Sequence, residues 1–182
     1  GEDDKRVVRF TKQFGKITAF ARGARRPTSQ FLSGTQPMSF GEFTMYRGRN
    51  SYTITNVKVT EYFGGEMTDI NKMYMGMYFL EMADYYGREN IDATETLRLL
   101  YQSLRALLKP SVPNRLVKPV YELKLMEING EYRELPLGRL NDSTLYAWQY
   151  VLAAPVESLY TFTLTDQVLG EFVRCVEQNK ER

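Results

Sequence analysis

Two hydrophobic periods divide this chain, and the switch between them limits the folds open to it. Up to Tyr62 apolar residues recur at every second position. Beyond Phe63-Gly64-Gly65 they recur about every 3.6. The first period puts alternate side chains on opposite faces of a strand; the second lines up one face of a helix. Strands first and helices afterwards predict an α+β protein rather than alternating βαβ units. The reading divides residues 1–65, a small β domain, from residues 66–182, a helical domain, with Gly64-Gly65 as a hinge.

Four strand runs are expected. Residues 5–14, KRVVRFTKQF, set Val7, Val8 and Phe10 among Arg6, Arg9 and Thr11, and Gln13-Phe14-Gly15 supplies a turn. Residues 16–22 alternate cleanly. Ile17, Ala19 and Ala21 share one face; Thr18, Phe20 and Arg22 share the other. The small residues of the first face suit the interior of a tightly curved barrel. Residues 38–47 and 52–62 form a hairpin around the Gly- and Asn-bearing turn 48–51, with Arg47 and Arg49 at its tip. Four strands with little room for helix between them suggest an oligonucleotide-binding (OB) barrel. That barrel needs five strands, and the fifth is expected before Gly1.

Helices are expected over 67–86, from Asp92 to Lys109-Pro110, over 113–128, from near Ser143 to before Pro155, and from near Thr165. In the first, Met67, Ile70, Met73, Tyr74, Met77, Leu80, Met82 and Tyr86 make the face to be buried. Asp92 and Glu95 resemble a capping box. Residues 131–141 read as a loop, and 156–164 are ambiguous.

Charge separates the halves as the period does. Residues 1–60 hold 11 Lys/Arg against 4 Asp/Glu, whereas residues 61–182 hold 13 against 18. A basic first third suits a polyanion, whose neutralised phosphates release counterions. The cations concentrate in Gly15–Pro27, GKITAFARGARRP, as Lys16, Arg22, Arg25 and Arg26. They run into a Ser/Thr/Gly-rich loop, 23–34, of the kind that carries binding residues. Fork-shaped guanidinium groups suit phosphate oxygens; the plainer reading is a solvated basic loop. Phe20, sharing a face with Arg22, is expected to be exposed and able to stack on a base. The pattern leaves Tyr46 and Tyr52 undecided between such a surface and the core.

Other constellations are weaker. The methionines 67, 73, 75, 77 and 82 could line a partner groove, but ordinary helical core is the preferred reading. Glu81, Asp84, Glu122 and Glu127 are expected on solvated helix faces. With no histidine and only Cys175, a Cys/His zinc site, an internal disulfide and a His-based nucleophile are all excluded. Cys175 reads as a small core residue. No phosphate-binding glycine motif and no 18-residue apolar run is present, and the expected compartment is the cytoplasm.

GKITAFARGARRP, then PMSFGEF (37–43), Tyr46-Arg47-Gly48 and the strand from Tyr52 to Val57 closely resemble the bacterial RecO family of recombination mediators. The likeness continues through Tyr78–Glu81, Leu104–Leu108, Glu122–Leu125 and Leu159–Thr163. It implies an N-terminal OB barrel on a helical domain, with no covalent chemistry and no cofactor. Such proteins bind single- and double-stranded DNA and anneal complementary strands. With the partner RecR they help to load RecA onto DNA coated by single-stranded-DNA-binding protein. The motif match assigns DNA contacts to Lys16, Arg22, Arg25 and Arg26; Arg47 and Arg49 join them from the hairpin-tip argument, and Phe20 from its exposure. The resemblance also implies that the helical domain holds the C-terminal tail of single-stranded-DNA-binding protein, and that the protein works at the bacterial nucleoid. Two departures stand out. Residues 129–143 replace a four-cysteine zinc module found in many members, so zinc is not expected, and the family's first strand has no counterpart here. A protein–protein adaptor, whose barrel takes an acidic peptide, is the alternative.

Overall fold

A computed structural model of the chain describes residues 1–135 and 139–181. The expected loop over 131–141 includes residues 136–138, which lie outside the described set. The chain divides into two compact units, Gly1–Leu97 and Arg98–Arg182.

The first unit is built on four strands, β1 (Lys5–Thr11), β2 (Gly15–Ala21), β3 (Ser39–Arg47) and β4 (Tyr52–Tyr62). β1 and β2 form one antiparallel hairpin, and β3 and β4 form a second, bulged after Phe40 and Thr44. A short parallel pairing of β2 with β4, Ala19 to Tyr52 and Phe20 to Thr53, joins them. The order is β1-β2-β4-β3, an open sheet with β1 and β3 at its edges.

β2 sets the core of this unit. Its alternation places Ile17, Ala19 and Ala21 inward, against Tyr52 and Ile54 of β4 and Ala24 and Phe31 of the following loop. Small residues at 19 and 21 let that loop close over the sheet, so Ala24 is wholly buried. In β1 the strand parity turns Val8 outward, 48% exposed, and turns Arg9 inward. The Arg9 guanidinium lies 4.4 Å from the centre of the Phe43 ring, and its Nη1 donates to the Ser39 carbonyl at 3.3 Å. Burial pulls its pKa down to about 10.

Gly64 and Gly65 are not an open hinge: they lie within a one-turn helix, α1 (Phe63–Glu66). Helix α2 (Ile70–Tyr86) starts at Asp69, whose carboxylate accepts the Asn71 N–H at 2.8 Å. It buries another face than its methionines indicate. Gly76, Phe79 and Ala83, spaced three and four apart, are buried, while Ile70 and Tyr74 are 63% and 66% exposed. Two small residues flanking one ring allow close approach. Met73, Met75, Met77 and Met82 are half-buried. The segment is apolar all round, so its pattern could not choose a face.

The division falls within α3 (Thr94–Leu107); Asp92 Oδ1 accepts the Thr94 N–H just before it at 2.8 Å. In the second unit α4 (Asn114–Ile128) is central, with an unbroken run of buried residues from Pro119 to Met126. It packs with α5 (Asp142–Ala153) and α6 (Asp166–Lys180), and a 3-10 turn, Val156–Ser158, follows α5. Trp148 and Phe172 meet edge to face with centroids 6.1 Å apart. Cys175 is buried. Glu122 departs from the solvated helix face expected for it. It is 1% exposed rather than solvated, and its carboxylate is paired with the Lys180 ammonium, which also contacts Glu177 at 2.9 Å. Lys124 is buried too, donating to the Leu152 and Ala154 carbonyls that end α5 at 3.1 and 2.9 Å.

Candidate nucleic-acid interface

The two ends of β2 carry two groups of cations. From Lys16 to Arg22 the strand advances about 20 Å, at roughly 3.3 Å per residue. Between them Phe20 points outward, 39% exposed, because it sits opposite in parity to Ala19 and Ala21.

The group at the far end is the arginine loop. Gly23 takes a positive φ of 65°, turning the chain directly after Arg22, and buried Ala24 anchors the turn. Arg22, Arg25 and Arg26 are left exposed. Their partners are within the chain: the acidic turn Gly1–Asp4 lies against them. Arg25 donates its main-chain N–H to the Asp3 carbonyl at 2.9 Å and its Nε to the Asp4 carbonyl at 3.2 Å. Arg26 Nε reaches Asp3 Oδ2 at 3.1 Å, and Asp4 Oδ1 accepts the Gly23 N–H at 2.7 Å. These groups face solvent, so the ion pair is weak.

The near-end group surrounds a cleft of about 540 Å³, lined by β2 at Lys16, by the β3–β4 hairpin tip with Arg47 and Arg49, and by the turn after α2 with Arg88 and Glu89. Main-chain bonds hold that last turn in place. Lys16 donates its N–H to the Arg88 carbonyl at 3.0 Å, and Asn90 to the Phe14 carbonyl at 2.7 Å. Gly15, at φ 67°, is required there: a Cβ would stand 2.3 Å from the carbonyl oxygens of Arg88 and Ile91. Lys16 pairs with Asp84 at 2.8 Å. Arg88 Nη1 donates to the Tyr85 and Gly87 carbonyls. Arg47 sits over the Tyr52 ring, 5.9 Å from its centre. Arg49 has no hydrogen-bond or ion-pair partner among the described residues.

The structure thus gathers Lys16, Arg47 and Arg49 about one cleft and sets Arg22, Arg25 and Arg26 in a separate loop. Of the undecided tyrosines, Tyr46 is 69% exposed and Tyr52 is 7% exposed, with its ring in the core and its hydroxyl unpartnered among the described residues. Arg88 escaped the sequence reading. Nothing in a basic residue after a helix signals a strand turn 72 positions earlier in the chain.

The family model for the recombination protein O N-terminal region matches residues 1–63, and that for its C-terminal region matches residues 67–135. The chain belongs to the RecO family. The DNA repair protein RecO of Alkaliphilus metalliredigens is 35% identical over 71% of this chain and 53% of its own length. That of Acetivibrio thermocellus is 32% identical over 71% of this chain and 52% of its own. A longer match, to RecO of Clostridium kluyveri, is 24% identical over 96% of this chain and 80% of that protein. In the first two matches the chain spans about half the relative's length. The N-terminal RecO model covers every sequence-assigned contact residue, and both cation groups except Arg88, which lies under the C-terminal one.

Proposed function

We propose that this RecO-family chain is a DNA-binding recombination mediator, with its open sheet forming four strands of an OB barrel that carries the DNA site. One observation supports this above the others: β2 presents exposed Phe20 between two groups of cations, all of them exposed except half-buried Lys16. Phosphates pair with the cations and a base stacks on the ring, which binds a single strand without reading its sequence. Neutralising phosphates on two strands also lowers their repulsion, so complementary bases can meet and anneal. No covalent step enters. Within this reading Lys16, Phe20, Arg22, Arg25, Arg26, Arg47 and Arg49 are the DNA contacts. The helical residues serve protein partners: RecR and the tail of single-stranded-DNA-binding protein, with RecA served indirectly at the nucleoid. Among the described residues no helix is long and apolar enough to cross a membrane.

Fluorescence anisotropy with a labelled single-stranded oligonucleotide tests it. Neutralising about four phosphates gives a slope of log affinity against log salt near −3, at roughly −0.7 per phosphate. Replacing Arg25 and Arg26 together with Ala weakens binding to the same extent for every sequence. Affinity indifferent to salt overturns the reading.

The contact of Gly1–Asp4 with the arginine loop favours one second reading, an adaptor that takes an acidic peptide. That loop already donates to carboxylate and carbonyl oxygens of two residues, Asp3 and Asp4. An acidic peptide that binds more tightly than the oligonucleotide and displaces it selects the adaptor.

A further inference from the structure

The two cation groups differ in shape and in charge. The arginine loop is exposed and carries its own acidic turn. The near-end group borders a half-open cleft, and its positions are set by backbone as much as by side chains. Arg88 stands beside β2 because the Lys16 N–H and the Phe14 carbonyl hold its turn there. Its Nη1 is fixed by two carbonyls of its own loop. Arg47 rests against the Tyr52 ring. Guanidinium groups held in this way lose little freedom on binding, which favours a localised anion over a diffuse one.

Charge then selects the anion. Lys16 and Asp84 neutralise each other at 2.8 Å. Arg47, Arg49 and Arg88 remain against one carboxylate, Glu89, which leaves two positive charges around the cleft. An internal phosphodiester carries a single negative charge, whereas a phosphomonoester carries about −1.5 to −2 at neutral pH. The volume of about 540 Å³ suits a small ligand such as one nucleotide.

We propose that the cleft bounded by Lys16, Arg47, Arg49 and Arg88 seats the terminal phosphate of a nucleic-acid strand. Arg47 and Arg88 supply fork-shaped donors and Arg49 the unpartnered charge. This rests on the DNA-binding reading and adds to it a preference for phosphorylated ends.

The test uses the 182-residue chain and three fluorescent 12-mers of one sequence: with a 5′-phosphate, with a 3′-phosphate, and with hydroxyls at both ends. One of the phosphorylated strands is expected to bind about fivefold more tightly than the hydroxyl strand. Arg47→Gln and Arg88→Gln each bring that ratio close to one. The Arg25→Ala/Arg26→Ala chain weakens all three strands and keeps the ratio. Thermal melting shows whether each variant is folded. Should one fail to fold, inorganic phosphate added to the unaltered chain supplies the same readout, by removing the advantage of the phosphorylated strand. Equal affinity for all three strands overturns this inference and leaves the wider reading standing, as does a ratio that survives both arginine changes and added phosphate. Binding to none of the strands overturns both.

Discussion

Lys16 and Asp84 are joined twice. The ammonium lies 2.8 Å from Asp84 Oδ1 and donates to the Asp84 main-chain carbonyl at 3.1 Å. The first residue pointing from β2 into the cleft is thereby tied to the last turns of α2, and part of its charge is countered before any ligand arrives. Asp84→Asn keeps the carbonyl contact and removes the counter-charge. Oligonucleotide affinity is expected to rise about two- to threefold near 50 mM salt, with the gain fading at high salt. Anisotropy titrations at two salt concentrations check it. No gain at low salt places Lys16 outside the DNA path.

Asp3 plays the corresponding part at the arginine loop, with its carboxylate 3.1 Å from Arg26 Nε. Asp3→Asn is expected to tighten oligonucleotide binding about twofold at low salt, because an exposed pair of this kind is worth under roughly 1 kcal/mol. The same titration reads it. Weaker binding by this variant indicates that the acidic turn holds the loop in its binding shape.

Gly15→Ala tests the joint between the β1–β2 turn and the segment after α2. The new Cβ meets two carbonyl oxygens at 2.3 Å, on a residue whose φ is already 67°. A loss of about 3 kcal/mol or more is expected, from overlap and backbone strain together. Urea denaturation measures it; a loss below 1 kcal/mol means the loop after α2 moves aside readily.

Arg9 is expected to be a liability for stability. Its Nε and Nη2 are buried with no hydrogen-bond partner among the described residues. Burial lowers its pKa to about 10, so folding disfavours the charged form at neutral pH. Arg9→Met keeps a flexible stem beside Phe43 and removes the unpaired donors. The expected gain is about 1 kcal/mol, or roughly 2–4 °C in melting temperature. A lower melting temperature shows instead that the cation over the Phe43 ring stabilises the sheet.

Tyr160 supplies a pH dependence to the second unit. Burial pushes its phenol well above the ordinary tyrosine range, although Ser103, in hydrogen-bond contact at 2.6 Å, acts the other way. An unfolded tyrosine ionises from about pH 10, while this one keeps its proton in the fold. Its contribution is therefore complete below about pH 10 and is lost as pH rises beyond it. Tyr160→Phe is expected to cost about 1 kcal/mol at pH 8, by stranding the Ser103 hydroxyl. It also flattens the fall in stability above pH 10. Denaturant titrations of both chains at pH 8 and pH 11 check this, and parallel falls refute it.

The residues that could be read from sequence were those whose neighbours in the chain decide their fate. Ile17, Ala19 and Ala21 alternate with polar or outward-facing partners, so strand parity alone put them inside and Phe20 outside. Helix α2 shows the limit of that reasoning: apolar residues occur on every side of it, and only packing chose Gly76, Phe79 and Ala83. The faces of Val8 and Arg9 were not legible for a similar reason, since two valines in a row defeat a period of two. Glu122 was misjudged because its partner, Lys180, lies 58 residues away. The arginine loop was legible as a block of like charge, whereas the cleft was not. Three separate segments build it, and Arg88 has no local signal.

The parallel pairing of Ala19 with Tyr52 and Phe20 with Thr53 has a consequence for the order of assembly. Each hairpin joins neighbours in the chain and closes on its own. The two-residue pairing must bring together positions 33 apart, so the loop-closure entropy falls on the step least rewarded by hydrogen bonds. Docking of the hairpins is thus the late event in folding this unit. Lys16 and Arg47 become neighbours only at that step. A nascent chain carries its basic loop from the outset, but the cleft lined by Lys16, Arg47, Arg49 and Arg88 exists only once the sheet is complete.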